Sequence, residues 1–469
     1  MARINTNVSA LNAQRNLNRA YAMLNQTMEH LSTGLRISRG KDDPAGLIVS
    51  ERLRSEISAV GQAISNTQRA KLVVSTTEGA LDEVAALLKD IQAKIVESAN
   101  SGAMSDDELR ANQLQIDSAI DSITRIANTT TFGGRRVLDG SLHYSVSGVN
   151  SSRIAAQTIN AAQFGSLPTI PVTVRVISQA QRASASFPFA ALSTPITVEV
   201  KGRLGVASLS VGSGTTVNQV ALAIAAVRDS TGVSATTSGS VLRMVSTGVG
   251  KKELASIKVL SGSTSFITDT ERRGTDAVAT VNGALAQADG VNLTVKTASL
   301  DADLTISTSF PPGSSTTFNV TGGGALFQVG PRVNTNLQVN VGVPSVAASN
   351  LGNPVVGYLA TLKSGGPNAI VNPGANFKAA SDIVAKAIDQ VSVLRGRLGA
   401  FERGTLDTNI NQLGITMENL TSAESNIRDA DFAGETSQLA RNQILVNAGT
   451  TVLTLANQTT QSVLRLLGS

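Results

Sequence analysis

Apolar residues near the start of the chain recur at alternating spacings of four and three residues. The members of this run are Leu17, Tyr21, Leu24, Met28, Leu31 and Leu35. Such heptad spacing lines one stripe of a helix and is typical of a coiled-coil seam. Asn5, Thr6 and Asn7 precede the run as candidate N-caps. The pattern therefore predicts an N-terminal helix with an apolar stripe.

The polar stretch that follows, GLRISRGKDDP, has the residue types of a phosphate-binding loop but not their spacing. Five residues rather than four separate Gly34 from Gly40, and Asp42 stands where Ser or Thr is required. A carboxylate at that point repels phosphate, so the stretch argues against nucleotide binding. Asp42 and Asp43 before Pro44 are typical of a helix start, because Pro fits the first helical position.

The residues after Pro44 predict a long second helix, whose apolar positions keep one three–four pattern. These positions are Leu53, Ile57, Val60, Ile64, Val74, Leu81, Val84, Leu88, Ile91 and Ile95. About 55 residues would span roughly 80 Å, longer than a compact domain, so we expect a rod. The sequence NSG at 100–102 ends this helix. Ser105 and Glu108 then form a capping box for a third helix with Leu109, Ile116 and Ile120.

The C-terminal part repeats the helical spacing. Its apolar positions are Val384, Ile388, Val391, Leu394, Leu398 and Phe401, followed by Leu406, Ile410, Leu413, Met417 and Leu420. The sequence RDADFAGE at 428–435 interrupts the pattern. A last seam follows with Leu445, Ala448, Val452 and Leu455, and Val446, Leu453, Val463 and Leu467 add apolar residues on other sides of the same helix.

The middle of the chain, about 140–375, is rich in Gly, Ser, Thr and Val. Its short alternating runs include VTVRV (172–176), ITVEV (196–200), ASIKVL (255–260) and NLTVKT (292–297). Alternation between turn signals predicts antiparallel strands, although a disordered linker is the alternative for such a composition. One amphipathic helix is predicted at 216–232. Asp301 and Asp303 lie in an alternating run, where we expect carboxylates that face solvent.

Composition excludes several kinds of chemistry. The chain has no Cys and only two His, so thiol catalysis and His-rich metal sites are excluded. Residues 144–375 contain no His, which rules out a zinc peptidase there. The net charge of +5 over 469 residues comes from basic residues spread among acidic ones, which is not a nucleic-acid-binding pattern. We expect no enzyme activity, no cofactor and no metal.

The N-terminus lacks a continuous apolar core, so no secretory signal is predicted, and no run of 18 apolar residues predicts a membrane span. By these signals alone the protein would be cytoplasmic. The terminal stripes raise a separate question, namely what buries them. Six to eight buried Leu or Val side chains per end contribute roughly 10–20 kcal/mol, more than a lone helix pair can collect. We therefore expect the ends to assemble with other copies into an open helical filament. An intramolecular coiled coil of the two ends alone is the alternative.

Long blocks at both ends resemble bacterial flagellin. These blocks are INTNVSALNAQRNL (4–17), LSTGLRISRGKDDPAGLIVSERL (31–53), TTTFGGRRVLDG (129–140), ESNIRDADFAGET (424–436) and TVLTLANQTTQSVLRLL (451–467). The resemblance implies an α+β multidomain protein, with a long coiled-coil rod formed by both termini and a β-rich variable outer domain in the middle. FQVGPRVNTNLQVNVG (327–342) resembles the β-hairpin that returns the chain to the rod.

The resemblance implies five parts. They are an inner-core helix (1–43), the N-terminal part of the rod (44–170), an outer domain (171–326), the C-terminal part of the rod with the hairpin (327–432) and a second inner-core helix (433–469).

The resemblance also implies the function, which is that of a filament subunit for swimming. Such a subunit is exported through the flagellar type III apparatus without signal cleavage and is located outside the cell. The implied partners are other copies, an export chaperone at the C-terminal segment, and the cap and hook-junction proteins, with no nucleic acid and no membrane insertion. The terminal segments are expected to fold on assembly.

The resemblance also assigns roles to residues. The assembly residues of the inner-core helices would be Leu17, Leu24, Met28, Leu31, Leu445, Val452, Leu455, Val463 and Leu467. The connection between inner core and rod would use Gly34, Arg36, Asp42, Asp43, Arg428, Asp429 and Asp431. Asp90, Lys94 and Gln115 match positions that a host Toll-like receptor contacts in other flagellins, but each is substituted here. We therefore expect poor receptor activation.

Two alternatives stay open at this point. One is the hook–filament junction protein of the same axial family. The other is a filament subunit whose Ser/Thr-rich outer domain also acts as an adhesin or carries glycans. The sequence alone does not decide the second.

Overall fold

The computed structural model describes residues 6–100, 102–164, 167–188, 192, 194–262, 270–297 and 299–467, and within this range the side chains of 460, 461 and 463–467 are not described. Its α-helices are α1 (Val8–Thr33), α2 (Pro44–Ser98), α3 (Asp106–Thr129), α4 (Val217–Ala226), α5 (Arg228–Thr231), α6 (Phe377–Phe401), α7 (Thr408–Arg428) and α8 (Phe432–Leu467). Short 3-10 turns lie at Thr335–Leu337 and Leu359–Leu362, and a π-helical turn, Glu402–Asp407, precedes α7.

The helix ends follow the predicted capping residues. Asn7 caps α1, because its Oδ1 accepts a hydrogen bond of 3.0 Å from Ala10 N. Gly34 ends α1 in the left-handed region, with φ of 72°, which glycine adopts without a steric penalty. Ser105 and Glu108 form the predicted capping box of α3. The long second helix is continuous over 55 residues, as its apolar pattern predicts.

The strands lie between α3 and α6. They are β1 (Thr131–Phe132), β2 (Arg135–Arg136), β3 (Tyr144–Ser147), β4 (Ile154–Ala162), β5 (Ile170–Ser178), β6 (Ser184–Pro188), β7 (Ile196–Gly202), β8 (Val206–Val211), β9 (Val233–Ser238), β10 (Val241–Ser246), β11 (Leu254–Ser261), β12 (Thr270–Arg273), β13 (Val278–Val281), β14 (Ala284–Leu285), β15 (Gln287–Asp289), β16 (Asn292–Lys296), β17 (Leu300–Ile306), β18 (Ser315–Gly323), β19 (Ala325–Gln328), β20 (Gln338–Val341), β21 (Gly352–Asn353) and β22 (Gly357–Tyr358). Helical ends and a β-rich middle confirm the predicted fold class. The four alternating runs named above all lie in strands.

The chain divides into two compact units, which we call the terminal unit (1–68, 329–332 and 407–469) and the middle unit (69–328 and 333–406). In the terminal unit, α1 packs along α8. The first part of α2 packs on α7 through Val60, Ala63 and Leu413. In the same unit, Asn409 Nδ2 donates a hydrogen bond of 2.7 Å to Val329 O.

The helices of the middle unit are held by apolar stripes and by polar contacts at their margins. The buried stripe of α2 includes Leu81, Leu88 and Ile95, and α6 is buried along its own three–four pattern. Three contacts show that α2 and α6 run antiparallel. They are Lys71–Glu402 at 3.4 Å, Asp82–Arg395 at 2.8 Å and Gln92–Ser381 at 2.8 Å.

Two β-sheets of the middle unit form what we call the sandwich module. Its five-stranded sheet has the order β14-β13-β5-β18-β3, and its four-stranded sheet has the order β15-β16-β17-β4. Residues from both sheets share one core, including Val174, Phe318, Leu293 and Leu304. The strand pairs are antiparallel, so alternate residues point into this core. Strands of the sandwich module lie on both sides of residue 170, where the resemblance places a domain limit. The implied domain limits stay predictions.

A second β module is inserted between β5 and β13, and we call residues 182–274 the inserted module. It contains sheets of order β6-β10-β9 and β12-β11-β7-β8 together with α4. Its separate core includes Phe187, Val200, Ile224 and Met244. The helix α4 carries a Thr216–Gln219 capping box and confirms the first part of the amphipathic helix predicted at 216–232, which is divided at Val227 into α4 and α5. Near the end of the middle unit, β19 pairs with β20, which confirms the predicted hairpin.

Candidate functional site

The contact between α1 and α8 brings the two ends of the chain together in an antiparallel pair. The α1 residues that are buried or half-buried along it are Ala10, Ala13, Leu17, Ala20, Leu24, Thr27, His30 and Leu31. The corresponding α8 residues are Glu435, Leu439, Asn442, Val446, Gly449, Leu453 and Ala456. Both sets recur every three or four residues, the spacing of a coiled-coil seam. Leu17, Ala20 and Val446 form its apolar centre.

The α8 seam lies one position away from the seam that the apolar pattern predicts. Leu445, Val452 and Leu455 are 46%, 55% and 60% exposed, while their neighbours Val446 and Leu453 pack against α1. The physical reason is that the packed face contains small and polar residues, which an apolar pattern does not count. The larger apolar side chains of α8 are left on its outer face.

The α1 assembly residues are divided between the two faces. Leu17 is buried and Leu24 and Leu31 are half-buried against α8, whereas Met28 is 53% exposed. Tyr21, which shares the predicted stripe with Met28, is also exposed. The side chains of the remaining two predicted residues, Val463 and Leu467, lie outside the described residues. The assembly role of all nine residues stays a prediction.

Polar contacts at the α1–α8 seam are the feature that the apolar pattern missed. Asn442 Nδ2 donates a hydrogen bond of 3.1 Å to Thr27 Oγ1, and both residues are buried. His30 Nδ1 lies 2.8 Å from Glu435 Oε1, with side chains only 11% and 18% exposed. A search for polar residues at seam positions would have found them, because all four keep the three–four spacing.

A small residue allows close approach near the centre of the seam, and a further polar contact lies at its other end. A Cβ added to Gly449 would lie 3.1 Å from Leu17 Cδ1, which is tighter than most real contacts. Asn7 Nδ2 donates a hydrogen bond of 3.0 Å to Ala456 O, so the residue that caps α1 also ties it to α8. The seam therefore has polar contacts towards both ends and a close apolar contact between them.

The two segments that leave this helix pair lie side by side. Leu35 and Asp429 form an isolated antiparallel bridge, and Ala430 N donates a hydrogen bond of 2.9 Å to Gly34 O. Arg36 N donates to Arg428 O at 2.7 Å, and the Arg36 side chain donates to Ile427 O. We call residues 34–37 and 427–430 the neck. The structure brings five residues of the predicted connection together here or next to it: Gly34, Arg36, Arg428, Asp429 and Asp431.

The carboxylates of the connection cap backbone groups. Asp42 Oδ2 accepts hydrogen bonds from Ser38 N at 3.2 Å and Arg39 N at 2.9 Å, and the Arg39 hydrogen bond is the main cause that lowers the Asp42 pKa. Asp43 Oδ1 accepts from Gly46 N at 2.9 Å in the first turn of α2. Asp431 acts similarly and accepts from Ala433 N at 3.0 Å, whereas Asp429 accepts from the side-chain hydroxyl of Ser425 at 2.6 Å.

Arg428 joins α7 to α2. Its Nη1 lies 3.2 Å from Glu51 Oε1 and 3.8 Å from Glu424 Oε1, and its side chain is 15% exposed. Glu424 Oε1 also accepts a hydrogen bond of 3.1 Å from Ser50 Oγ. A planar guanidinium suits such a shared contact with two carboxylates. No catalytic arrangement follows from it, because both carboxylates are held by structural partners.

The positions that match the host-receptor contact lie on accessible parts of the middle unit. Asp90 on α2 and Gln115 on α3 are exposed. Lys94 is half-buried and its Nζ lies 2.8 Å from Glu97 Oε2, one turn along α2. These side chains present an anion, a paired cation and an amide to solvent.

A second group of charged residues lies in the sandwich module, and here the expectation of solvent-facing carboxylates is wrong. Asp301 and Asp303 are half-buried. Asn160 Nδ2 donates to both, at 3.0 and 2.8 Å. Burial raises the pKa of Asp301, and the nearby Arg397 guanidinium of α6 opposes this shift. Strand alternation separates two faces but does not say which distant side chains lie beside the polar one.

Within the described residues, no group of three or more acidic or His side chains is placed to hold a metal ion. No described helix is long and apolar enough to cross a membrane.

Comparison with known proteins agrees with the helix arrangement. Residues 4–143 match the model of the bacterial flagellin N-terminal helical region, and residues 381–467 match that of the C-terminal helical region. A flagellin of Salmonella rubislaw is 30% identical, with 99% of each chain covered. The B-type flagellin of Pseudomonas aeruginosa and a flagellin of Salmonella typhimurium have the same identity and coverage. The chain belongs to the bacterial flagellin family.

Membership of this family carries the function: the chain is a structural subunit of the flagellar filament. Relatives that are themselves named flagellin over nearly the full length do not favour the junction-protein alternative. Among solved structures, the flagellar junction protein of Legionella pneumophila is 11% identical, with 82% of this chain and all of that chain covered and a TM-score of 0.27. The flagellar cap protein of Bdellovibrio bacteriovorus is 14% identical, with 33% and 93% covered and a TM-score of 0.24. Scores this low support no conclusion about this chain.

Proposed function

We propose that copies of this chain polymerise through the outer face of the α1–α8 pair. The observation that carries the proposal is the row of large apolar side chains that the pair leaves exposed. They include Val8, Leu11 and Met28 on α1 and Ile444, Leu445, Val452 and Leu455 on α8. Exposed apolar surface of this extent marks an association site.

The free energy available from burying these side chains supports assembly of the pair with other copies. Each of these side chains is 46–67% exposed, so covering the rest of it contributes about 1 kcal/mol. Seven such residues contribute roughly 7 kcal/mol per copy, and each subunit of a filament touches several neighbours. Because a head-to-tail contact does not close on itself, many copies form an open helical array.

The remaining parts of the proposal follow the family resemblance. Residues 1–43 and 433–469 would form the inner core, 44–170 and 327–432 the rod, and 171–326 the outward part. The partners would be an export chaperone on the C-terminal segment, and the cap and junction proteins at the filament ends. Export would run through the flagellar type III apparatus to the outside of the cell. The terminal helices would gain their full protection from hydrogen exchange on assembly.

Seeded polymerisation of purified protein tests the assembly step. A chain that lacks residues 434–469 should not extend filament fragments, because α8 and its exposed face are gone. Its middle unit should keep its thermal transition, since that unit has its own cores. The unaltered chain is the positive control, and extension is scored by electron microscopy. Long filaments grown from the truncated chain would show that α8 is not the assembly element.

Hydrogen exchange tests whether the terminal helices gain protection on assembly. Hydrogen exchange of the soluble chain and of filaments should differ most in α1 and α8 and least in the sandwich module. Equal protection of α1 and α8 in both states, without fibre formation, would contradict the proposal.

A further inference from the structure

Helix α8 offers α1 a choice between two faces. The packed face contains Asn442, Val446, Gly449 and Leu453. The face one position away contains Arg441, Leu445, Ala448, Val452 and Leu455, and its three large apolar side chains are exposed. The packed face has as many large apolar side chains, because Leu439 is half-buried on the same side as Val446 and Leu453. Burial of apolar area alone therefore does not select the packed face.

Two polar contacts distinguish the packed face from its neighbour. Asn442 is 4% exposed and Thr27 is 5% exposed, and the Asn442 amide donates to the Thr27 hydroxyl at 3.1 Å. The Thr27 hydroxyl in turn donates to Met23 O at 3.0 Å. Nearer the neck, His30 Nδ1 and Glu435 Oε1 are 2.8 Å apart. Both contacts exist only when this face of α8 is turned towards α1.

Rotation of α8 by one position would separate these partners. Arg441 would then take the place of Asn442 beside Thr27, and Gly434 would take the place of Glu435 beside His30. A buried donor or acceptor without a partner costs more than a made hydrogen bond contributes, because its desolvation is not compensated. A buried polar residue at a seam position is also the best-attested device for fixing helix register.

A slip along the helix axis is opposed at the same positions. Leu17 now lies against Gly449, where a Cβ would already be crowded. A shift of one heptad in one direction brings Asn442 opposite Leu17 in place of Thr27. The Asn442 amide would then be buried against an apolar side chain, and Leu17 would lose its gap.

We propose that the Thr27–Asn442 and His30–Glu435 contacts determine which face of α8 packs against α1. A consequence is that the face with Leu445, Val452 and Leu455 stays free for other copies. Only this consequence rests on the proposed self-assembly. The selection of the face is a property of the single chain.

Disulfide trapping measures the selected face directly, because the chain has no Cys of its own. Ala20 and Val446 pack in one cluster, so the Ala20→Cys/Val446→Cys variant should form an intramolecular disulfide under mild oxidation. The Ala20→Cys/Leu445→Cys variant forms its disulfide when the other face of α8 packs against α1. We expect the 20–446 disulfide to form in about tenfold higher yield than the 20–445 disulfide, since two net hydrogen bonds correspond to about one decade in a population ratio. The ratio is measured in the full-length soluble chain and again after assembly, and gel mobility separates intramolecular from intermolecular bonds.

Two apolar double variants remove the polar contacts. In Thr27→Ala/Asn442→Ala the ratio should fall about threefold, because one of the two contacts is removed, and His30→Ala/Glu435→Ala should lower it by a similar factor. The exchange variant Thr27→Asn/Asn442→Thr keeps an amide and a hydroxyl in contact and should keep the ratio. Asn447→Ala removes an amide from the exposed side of α8 and is the matched control.

Each outcome decides the inference. A fall in both apolar variants, with the exchange variant and Asn447→Ala unchanged, supports it. Equal yields of the two pairs in the otherwise unaltered chain overturn it, and so does a ratio that the apolar variants leave unchanged. A loss of helicity in a variant is detected by circular dichroism, and the exchange variant then decides. If the face is selected but no filaments form, the proposed assembly fails while this inference stands.

Discussion

Gln181 and Thr275 exchange two backbone hydrogen bonds, of 2.8 and 3.1 Å, across an isolated antiparallel bridge. The chain leaves the sandwich module at the first residue and returns to it at the second. The inserted module between them has its own core, so it is an insertion with adjacent ends.

Removal of the inserted module should therefore leave the rest of the chain folded. Replacing residues 182–274 by two glycines closes the bridge as a tight hairpin, which two-residue loops favour. We expect the sandwich module to keep a cooperative thermal transition and seeded filament growth to continue. Calorimetry measures the thermal transition, and electron microscopy scores the filament growth.

A deletion of 171–326 is the matched comparison. It removes β17 and leaves β4 without its partner, so an unpaired edge is exposed and lower solubility is expected. If the 182–274 deletion were the less soluble of the two, the two-module description would be wrong.

Substitution of the exposed α8 face should weaken assembly without disturbing the helix pair. Leu445→Ser with Val452→Ser removes about 2 kcal/mol of intersubunit burial, which corresponds to a rise of more than tenfold in the critical concentration. Sedimentation of seeded samples measures it. Thr450→Ala, on an exposed position of α8, serves as the control. An unchanged critical concentration would show that this face makes no contact in the filament.

Asp276 should stabilise the joint between the two β modules. Its Oδ1 accepts hydrogen bonds from Lys251 N in the inserted module and from Gly290 N in the sandwich module, at 2.8 and 2.9 Å. Asp276→Ala leaves both amides without this acceptor, and we expect a loss of about 1 kcal/mol in urea unfolding. Asp289→Ala, which breaks only an exposed ion pair with Lys252, should cost much less.

The stability that Asp276 contributes to this joint should fall in acid. The hydrogen bond from Lys251 is the main cause that lowers the pKa of Asp276 below 3.8. A carboxyl whose folded pKa is lowered contributes stability above its unfolded pKa, and that stability is lost as the pH falls through the lower value. The difference between the unaltered chain and Asp276→Ala should thus shrink below pH 3.8. A difference that grew in acid would contradict the assignment.

His143 should make the sandwich module sensitive to mild acid. Burial, with a smaller effect of Arg397, lowers the pKa of His143 below 6.5. Its Nδ1 is buried without a hydrogen-bond partner among the described residues. The neutral ring is therefore favoured in the folded state, so its contribution is present above pH 6.5 and is lost as the pH falls below that value.

His143→Gln removes this titration. The loss of thermal stability between pH 7.5 and pH 5.5 should be smaller in this variant than in the unaltered chain. Asp301, whose pKa is raised, contributes in the opposite sense and is present in both proteins, so it cancels from the comparison. An equal loss in both chains would exclude His143 as the group responsible.

The resemblance implies a cation, an apolar residue and a carboxylate at the receptor-contacting positions, where this chain has Asp90, Lys94 and Gln115, so we expect poor host-receptor activation. Asp90→Arg, Lys94→Leu and Gln115→Glu together should raise potency in a reporter-cell assay by more than tenfold. Substitution of Asp107, exposed at the start of α3, is the control. Full potency of the unaltered chain would refute the expectation.

Local patterns predicted most of the helices and their ends. Ser105 with Glu108, and the Asp43–Pro44 start of α2, are signals within one turn of chain, so sequence alone locates them. The α8 seam was displaced by one residue because Asn442 and Gly449 are chosen by their partners on α1, more than 400 residues away along the chain. Sheet order was not predictable, since β5 pairs with β13 and β18 across the whole inserted module. Asp301 was misassigned for the same reason, because Arg397 comes from a distant helix.

The neck at residues 34–37 and 427–430 has a mechanical consequence. Both connections to the terminal helices pass through it, side by side and joined by the Leu35–Asp429 bridge. A pull on the helix pair is therefore divided between two covalent strands that are loaded in the same direction. The hydrogen bonds between the two segments are perpendicular to the load, which therefore does not shear them. Torque and tension then pass between the α1–α8 pair and helices α2 and α7 without breaking this contact.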